Sequence, residues 1–433
     1  MNAVFMAIVS AAFAVAAIRQ VTWKGAEDAA PMAAMGKGMI DAASGSVTLA
    51  IGLVGVMALF LGLMKVVERG GLLVIIAKTL RPLLVRLFPD VPAEHPAMGA
   101  MILNMAANVL GLGNAATPFG IRAMQQLQTL NRDKATASDA MALFLAINTS
   151  SVTLLPTGVI ALRAAAGSHD AAGIVPTTLF ATICSTTVAI VMAKFLAKRW
   201  KAPPPAPELD EPPVEAPDTI PEQPAGEWAS AESAAYPVWV SVAALGAVAL
   251  LVPLTVLYGK AIAPWIVPGL MLALLGFGWF RKVPVYEAFV EGAKDGFKVA
   301  LRIIPYLVAI LVAVGMFRAS GAMDMIVQPL GAITGLVGLP AEALPMALLR
   351  PLSGSGAYGI MASIIQDPAV GPDSYVGYLV STIQGSTETT FYVLAVYFGA
   401  VGIRRLRHTL AAALMADAAG VAAAVFIVQL LYG

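Results

Sequence analysis

Residues 104–118 read NMAANVLGLGNAATP, and residues 350–357 read RPLSGSGA. Both stretches lie in long apolar surroundings, and both are interrupted by Gly, Asn, Ser or Pro. An apolar run broken in this way fits a broken or re-entrant helix rather than a plain membrane span. Asn104 and Asn108 are four residues apart, so they share a helix face. Gly111 and Gly113 loosen the helix that follows, and Pro118 cannot donate a helical hydrogen bond. The carbonyls and amides freed there must face protein, water or a solute, because lipid offers them no partner.

The rest of the chain has the composition such a reading requires. Of 433 residues, 59% are hydrophobic and 12% are charged, where a soluble domain carries about 25% charge. Mean hydropathy is +0.80. A chain this apolar cannot cover a water-facing surface and is read as an all-α, polytopic membrane protein. Apolar runs of spanning length cover 2–18, 46–66, 138–161, 174–197, 237–257, 264–280, 298–317, 375–399 and 409–431. Residues 71–89 carry Lys78, Arg81 and Arg86 among leucines and isoleucines. They read as a surface amphipathic helix or a tilted span with snorkelling bases. Residues 98–127 and 343–366 are the broken or re-entrant segments.

The net charge of +1 conceals an uneven distribution. Eight of the acids, but only Lys201 of the bases, lie in 201–234, and 202–225 contain nine prolines. This is an extended, disordered tether. It divides the chain into membrane halves 1–200 and 236–433, with 201–235 between them. Lys198, Arg199 and Lys201 put the tether in the cytoplasm by the positive-inside rule, and Arg281 and Lys282 agree. The first helix lacks a basic leader and is followed by Arg19 and Lys24, which reads as an uncleaved span ending in the cytoplasm. The bases are scattered, so nucleic acid is excluded as a partner.

The two halves repeat each other. Gly71 opens GLLVIIAKTL and Gly321 opens GAMDMIVQPL. Val91-Pro-Ala-Glu is answered by Leu339-Pro-Ala-Glu, and LGLGNA at 110–115 by LSGSGA at 352–357. Asn148-Thr-Ser-Ser-Val-Thr is answered by Gln384-Gly-Ser-Thr-Glu-Thr, each read as a polar run inside an apolar helix. Repeats of this kind build transporters and channels, with the solute near mid-membrane at the repeat interface. Two helices between the repeats favour equal orientation. That reading places Arg404, Arg405 and Arg407 outside the cell, against the positive-inside rule, so the sequence leaves the orientation open.

The expected solute-binding residues are the polar groups of these segments. They are Asn104, Asn108, Asn114, Thr117, Asn148, Thr149, Ser150 and Ser151 in the first half, and Arg350, Ser353, Ser355, Gln384, Ser386, Thr387 and Glu388 in the second. An intramembrane arginine is costly and marks a functional position by default. Arg350 would bind an anionic group or pair with Glu388, the one acid of 375–399. The plainer alternatives are interhelical hydrogen bonds for the asparagines, an interfacial Arg350 and an ion pair that only fixes packing. Asp417 reads as a packing or interfacial aspartate, with proton coupling as the alternative.

Other chemistries find little support. Gly354, Gly356 and Gly359 spell G-x-G-x-x-G, but no strand precedes them, so no dinucleotide site is expected. No P-loop or hydrolase motif is present, and neither a catalytic residue nor a cofactor is expected. Cys184 is the single cysteine, and His95, His169 and His408 lie far apart, so no metal site is expected.

NMAANVLGLGNAATPFGIRAM (104–124) and AINTSSVTLLPT (146–157) resemble the spore maturation protein A family. RPLSGSGAYGI (350–360) and STIQGSTETTFYVLAVYFGAVGIRR (381–405) resemble the spore maturation protein B family. Both are similar to the Gate, or nucleoside recognition, superfamily of membrane proteins. The resemblance implies a multi-pass bacterial inner-membrane protein in which two usually separate partners are fused into two Gate-like halves. It does not identify a substrate. The expectation is a transporter or channel for a small polar or anionic solute, with a non-transporting scaffold or regulator of envelope maturation as the alternative. The expected partners are that solute and the lipid bilayer, with homo-oligomerisation left open.

Overall fold

The computed structural model describes residues 2–25, 30–111, 113–150, 153–200 and 236–433. Among these residues it is helical throughout, with one isolated bridge between Thr136 and Arg405. The first half runs α1 (Asn2–Val21), α2 (Pro31–Arg69), α3 (Leu72–Leu87), α4 (Pro96–Val109), α5 (Gly113–Leu130), α6 (Asp139–Ser150), α7 (Thr157–Ala165) and α8 (Ile174–Arg199). The second half runs α9 (Val238–Phe280), α10 (Val285–Ala319), α11 (Ala322–Thr334), α12 (Leu344–Leu349), α13 (Gly354–Ile365), α14 (Tyr375–Ser386), α15 (Thr390–Gly399) and α16 (Thr409–Tyr432). Each helix of the first half thus has a counterpart eight helices later. The local chemistry repeats too. Gly71 and Gly321 both enter the next helix at φ 79°, a left-handed conformation that favours glycine. Both helices they open also contain a proline, Pro82 and Pro329.

Three helices among the described residues are long and apolar enough to cross a membrane: Pro31–Arg69, Ile174–Arg199 and Thr409–Tyr432. The expected breaks in 98–127 and 343–366 are present, at Leu110–Gly111 and at 350–353. Two other expectations need correction. The runs 138–161 and 375–399 are not single spans: helix stops at Ser150 and Ser386 and resumes at Thr157 and Thr390. Side-chain oxygens cause this in part. Thr149, Ser150 and Ser386 donate back to the carbonyls of Ala146, Ile147 and Ile383, and such bonds compete with regular helix. Pro156 then forms the N-cap of α7. Conversely, 237–257 and 264–280 join into the single 43-residue α9.

Counterpart helices pack antiparallel. Along α2 and α10, Gly38 faces Gly315 and Ala319, whereas Gly62 faces Phe289 at the opposite end. Gly292 and Gly296 complete this stripe of small residues, which lets two backbones approach closely where lipid supplies no hydrophobic drive. Along α8 and α16, Arg407 Nη2 donates to Trp200 O at 2.8 Å, and Ser185 Oγ donates to Ala416 O at 2.9 Å. At the far end, Tyr432 Oη donates to Gly173 O at 3.0 Å. Two counterpart pairs running antiparallel make the repeat inverted, with its pseudo-twofold axis in the membrane plane.

The inversion settles the arginine conflict. Arg407 touches Trp200, so Arg404, Arg405 and Arg407 lie at the same end as Lys198 and Arg199. Arg281 Nε donates to Gly70 O at 2.8 Å, and Met64, Val67 and Ala193 share one core, so Arg281 and Lys282 lie at that end as well. Arg19 is the exception. Its Nη1 donates to Ser320 O at 2.8 Å, at the other end of α10. Arg19 and Lys198 therefore cannot both be cytoplasmic. The charges near one short helix were outweighed by packing of that helix on α10.

The halves interlock. One core combines α3–α6 with Val393, Leu394, Tyr397 and Phe398 of α15, and the other combines α12–α14 with Val159, Ile160 and Leu162 of α7. Two arginine–aspartate pairs also join the halves, one from α7 and one from the segment between α15 and α16. Arg163 Nη2 lies 3.0 Å from Asp373 Oδ1, and Arg407 Nη1 lies 2.7 Å from Asp139 Oδ1, at opposite ends of the molecule.

Candidate functional site

The interruptions in four of the helices meet around one polar cavity of about 240 Å³. Its wall includes Asn108 and Gly111 at the end of α4, Thr153 and Leu155 to Val159 leading into α7, and Arg350, Gly354 and Tyr358 around the start of α13. Gln384, Gly385, Thr387 and Glu388 close it from the end of α14. The N-termini of α7 and α13 bring the positive ends of helix dipoles to the cavity, and the C-termini of α4 and α14 bring negative ones. A small molecule with both an acceptor end and a donor end suits such a lining.

Backbone contacts hold the breaks open and joined. Leu154 N donates to Val109 O at 3.0 Å, which ties the entry to α7 onto α4. Glu388 N donates to Thr149 O at 2.7 Å, which ties one half to the other. Tyr358 Oη donates to Gly158 O at 2.9 Å across the same boundary. Gly111 has φ +74°, and a Cβ there would stand 2.9 Å from Leu155 O, so the close approach needs glycine.

The repeat is chemically unequal at this point. Its register sets Asn108 opposite Arg350, Asn148 opposite Gln384 and Val152 opposite Glu388. In the first half, Asn108 Nδ2 donates to Asn148 Oδ1 at 3.0 Å, and Asn148 Nδ2 to Phe144 O at 2.9 Å, a satisfied neutral pair. In the second half, Arg350 is 4% exposed. Its Nη1 donates to Thr389 Oγ1 at 3.0 Å and its Nη2 to Thr387 O, while Glu388 Oε2 lies 3.8 Å away. Arg350 Nε and Gln384 Oε1 are buried without a hydrogen-bond partner among the described residues. Two residues that line the cavity thus each keep one buried polar atom unpaired.

Of the expected residues, Asn108, Arg350, Gln384, Thr387 and Glu388 line the cavity, and Asn148 stands behind Asn108. Six others are bonded within the protein. Asn104 Nδ2 bonds Ala116 O at 2.7 Å and Tyr397 Oη at 3.3 Å, and Thr117 also lies beside Tyr397. Thr149, Ser150 and Ser386 are bonded back to their own helices, and Ser353 Oγ caps α13 by accepting from Gly356 N. Ser355 is exposed outside the cavity. Ser151 and the Asn114 side chain lie outside the described residues. Thr153 belongs to the expected polar run, whereas Tyr358 and the segment Pro156-Thr157-Gly158 were not anticipated. Pro156, three residues after the end of the polar run at Thr153, was the available signal.

The family described as Gate, nucleoside recognition, matches residues 50–166 and 300–404. The chain belongs to this family. Every cavity-lining residue falls inside the two Gate regions, whereas α8 and α16 fall outside them. The Gate chain is 49% identical over 173 residues to spore maturation protein B of Bacillus subtilis (strain 168), covering 40% of this chain and 94% of that protein. It is 46% identical over 156 residues to spore maturation protein A of the same organism, covering 36% of this chain and 80% of that protein. It is 31% identical over 81 residues to the inner membrane protein YjiG of Escherichia coli (strain K12), covering 18% of this chain and 53% of that protein. No solved structure matches it.

Proposed function

We propose that this chain is an inner-membrane transporter that carries a small polar solute, with an anionic or strongly accepting group, through the cavity between its two inverted Gate halves. The carrying observation is that Arg350 and Gln384, which line one cavity, each keep a buried polar atom, Nε and Oε1, without a partner among the described residues. Buried polar groups are ordinarily paired, so a solute that accepts from Arg350 and donates to Gln384 completes the site. The family description supplies the first solutes to try, nucleosides and their phosphates. The inner-membrane reading is supported by the relative named for it and by the basic end at Lys198, Arg281 and Arg404, which the positive-inside rule favours on the cytoplasmic side. Inverted repeats around a fixed site support alternating access by rocking one half against the other.

The test is uptake into proteoliposomes of labelled nucleosides, nucleotides and small organic anions, wild type against Arg350→Gln. Saturable uptake of at least one class, lost in the variant, is expected. Absence of uptake across the whole panel, or equal uptake by the variant, overturns the proposal.

A further inference from the structure

Asp417 lies in α16, beyond the Gate regions, and does not line the cavity. It is 5% exposed in the interior of a membrane-spanning helix. One oxygen, Oδ2, accepts from Thr390 Oγ1 at 2.6 Å. The other, Oδ1, is buried with no hydrogen-bond partner among the described residues. A carboxylate offers about four lone-pair sites. Leaving one oxygen bare in a low-dielectric interior is costly unless a cation sits on it.

Nearby groups do not fill that role. Ser185 of α8 is committed to Ala416 O. Gly420, one turn on, packs against Thr387 and Ser185, so the helix is held tightly there. The charged group facing Asp417 is Arg350, from the break before α13, with Glu388 behind it. Arg350 is already committed to Thr387 and Thr389 and reaches Asp417 only through space. The connection is nonetheless direct in the chain: Thr389 holds Arg350, and the next residue, Thr390, holds Asp417.

We propose that Asp417 Oδ1 binds a small monovalent cation, H⁺ or Na⁺, and that residues 387–390 link its occupancy to the Arg350 site. With Asp417 bare, its charge competes for the guanidinium. With a cation bound, Arg350 is free to hold the anionic part of a solute, so cation and solute bind together. Only this second step rests on the transport reading.

Infrared difference spectroscopy of the reconstituted full-length protein tests the first step without any solute. In one arm, pH is stepped in sodium-free buffer. In the other, sodium replaces choline at fixed alkaline pH. A carboxyl band is expected in one arm, lost completely in Asp417→Asn and shifted in Thr390→Val, which keeps the carboxylate but removes its donor. The responding arm distinguishes proton from sodium. Wild-type and Asp417→Asn spectra that superimpose in both arms overturn the proposal. If Asp417→Asn does not yield folded protein, an unshifted band in Thr390→Val does the same. Uptake without the band removes this site and leaves the transport reading. The band without uptake does the reverse.

Discussion

At the scale of single residues, the role proposed for Arg350 depends on its neighbours, which would set how strongly it could grip a solute. Glu388 is half exposed and 3.8 Å away, and pairs of that kind contribute about 0–1 kcal/mol. Glu388→Gln is therefore expected to strengthen binding of an anionic solute by up to about fivefold, measured by equilibrium binding. Arg350→Lys loses the fork that reaches both Thr387 and Thr389, bonds worth about 1.5–3 kcal/mol each, and should cut uptake by tenfold or more. His408 makes a second residue-scale prediction. It sits at the N-cap of α16, is fully buried, and neither ring nitrogen has a partner among the described residues. Burial, reinforced by Arg407, holds its imidazole below the usual range. The unfolded chain then takes up a proton that the folded chain refuses, so stability falls as pH drops below about 6.5. Thermal unfolding in detergent between about pH 7 and pH 5 should show this loss, and His408→Gln should flatten it. The sequence exposed Asn108, Arg350, Gln384, Thr387 and Glu388 because polar groups in apolar runs are conspicuous. It could not separate them from Thr149, Ser150 or Ser386, since a hydroxyl bonded to its own helix and one facing a cavity look alike in a string of letters.

Among the helical elements, the interruptions matter more than the spans. Those near 110 and 350 were legible because Gly, Ser and Pro forbid or weaken helix. Those near 151 and 387 were not, because Asn, Thr and Ser are tolerated inside helices and break them only when partners reward the break. Here Glu388 N on Thr149 O and Leu154 N on Val109 O are such partners, and both join segments distant in sequence. The geometry of one interruption can be tested directly. Ala at position 111 would face both φ +74° and Leu155 O at 2.9 Å from its Cβ. The left-handed conformation alone costs an L-residue about 1–2 kcal/mol. Gly111→Ala is expected to lower the unfolding temperature and weaken solute binding together. Gly36→Ala is the control: it lies in α2 with nothing within 4 Å of the added Cβ, and should be neutral or stabilising by about 0.5–1 kcal/mol.

For the whole molecule, the repeat was legible as matched motifs, but its handedness in the membrane was not. Counting helices across the tether favoured equal orientation. The contacts of α2 with α10 and of α8 with α16 show inversion instead, and inversion brings Arg404 and Arg405 to the end that carries Lys198. His169 and Ala369 lie at the other end, beside the Arg163–Asp373 and Arg318–Asp367 pairs. This predicts a labelling pattern. Cys184 is the sole native cysteine and is replaced first. Single cysteines are then placed at the exposed positions Lys198, Arg404, His169 and Ala369. A membrane-impermeant thiol reagent on intact cells should label the last two and reach the first two only after the membrane is opened. Parallel repeats would separate Lys198→Cys from Arg404→Cys, so opposite labelling of that one pair would overturn the inverted fold. Labelling of Lys198→Cys and Arg404→Cys together from outside would keep the fold and reverse its orientation. In that case the positive-inside rule, rather than the packing, would be the premise that failed.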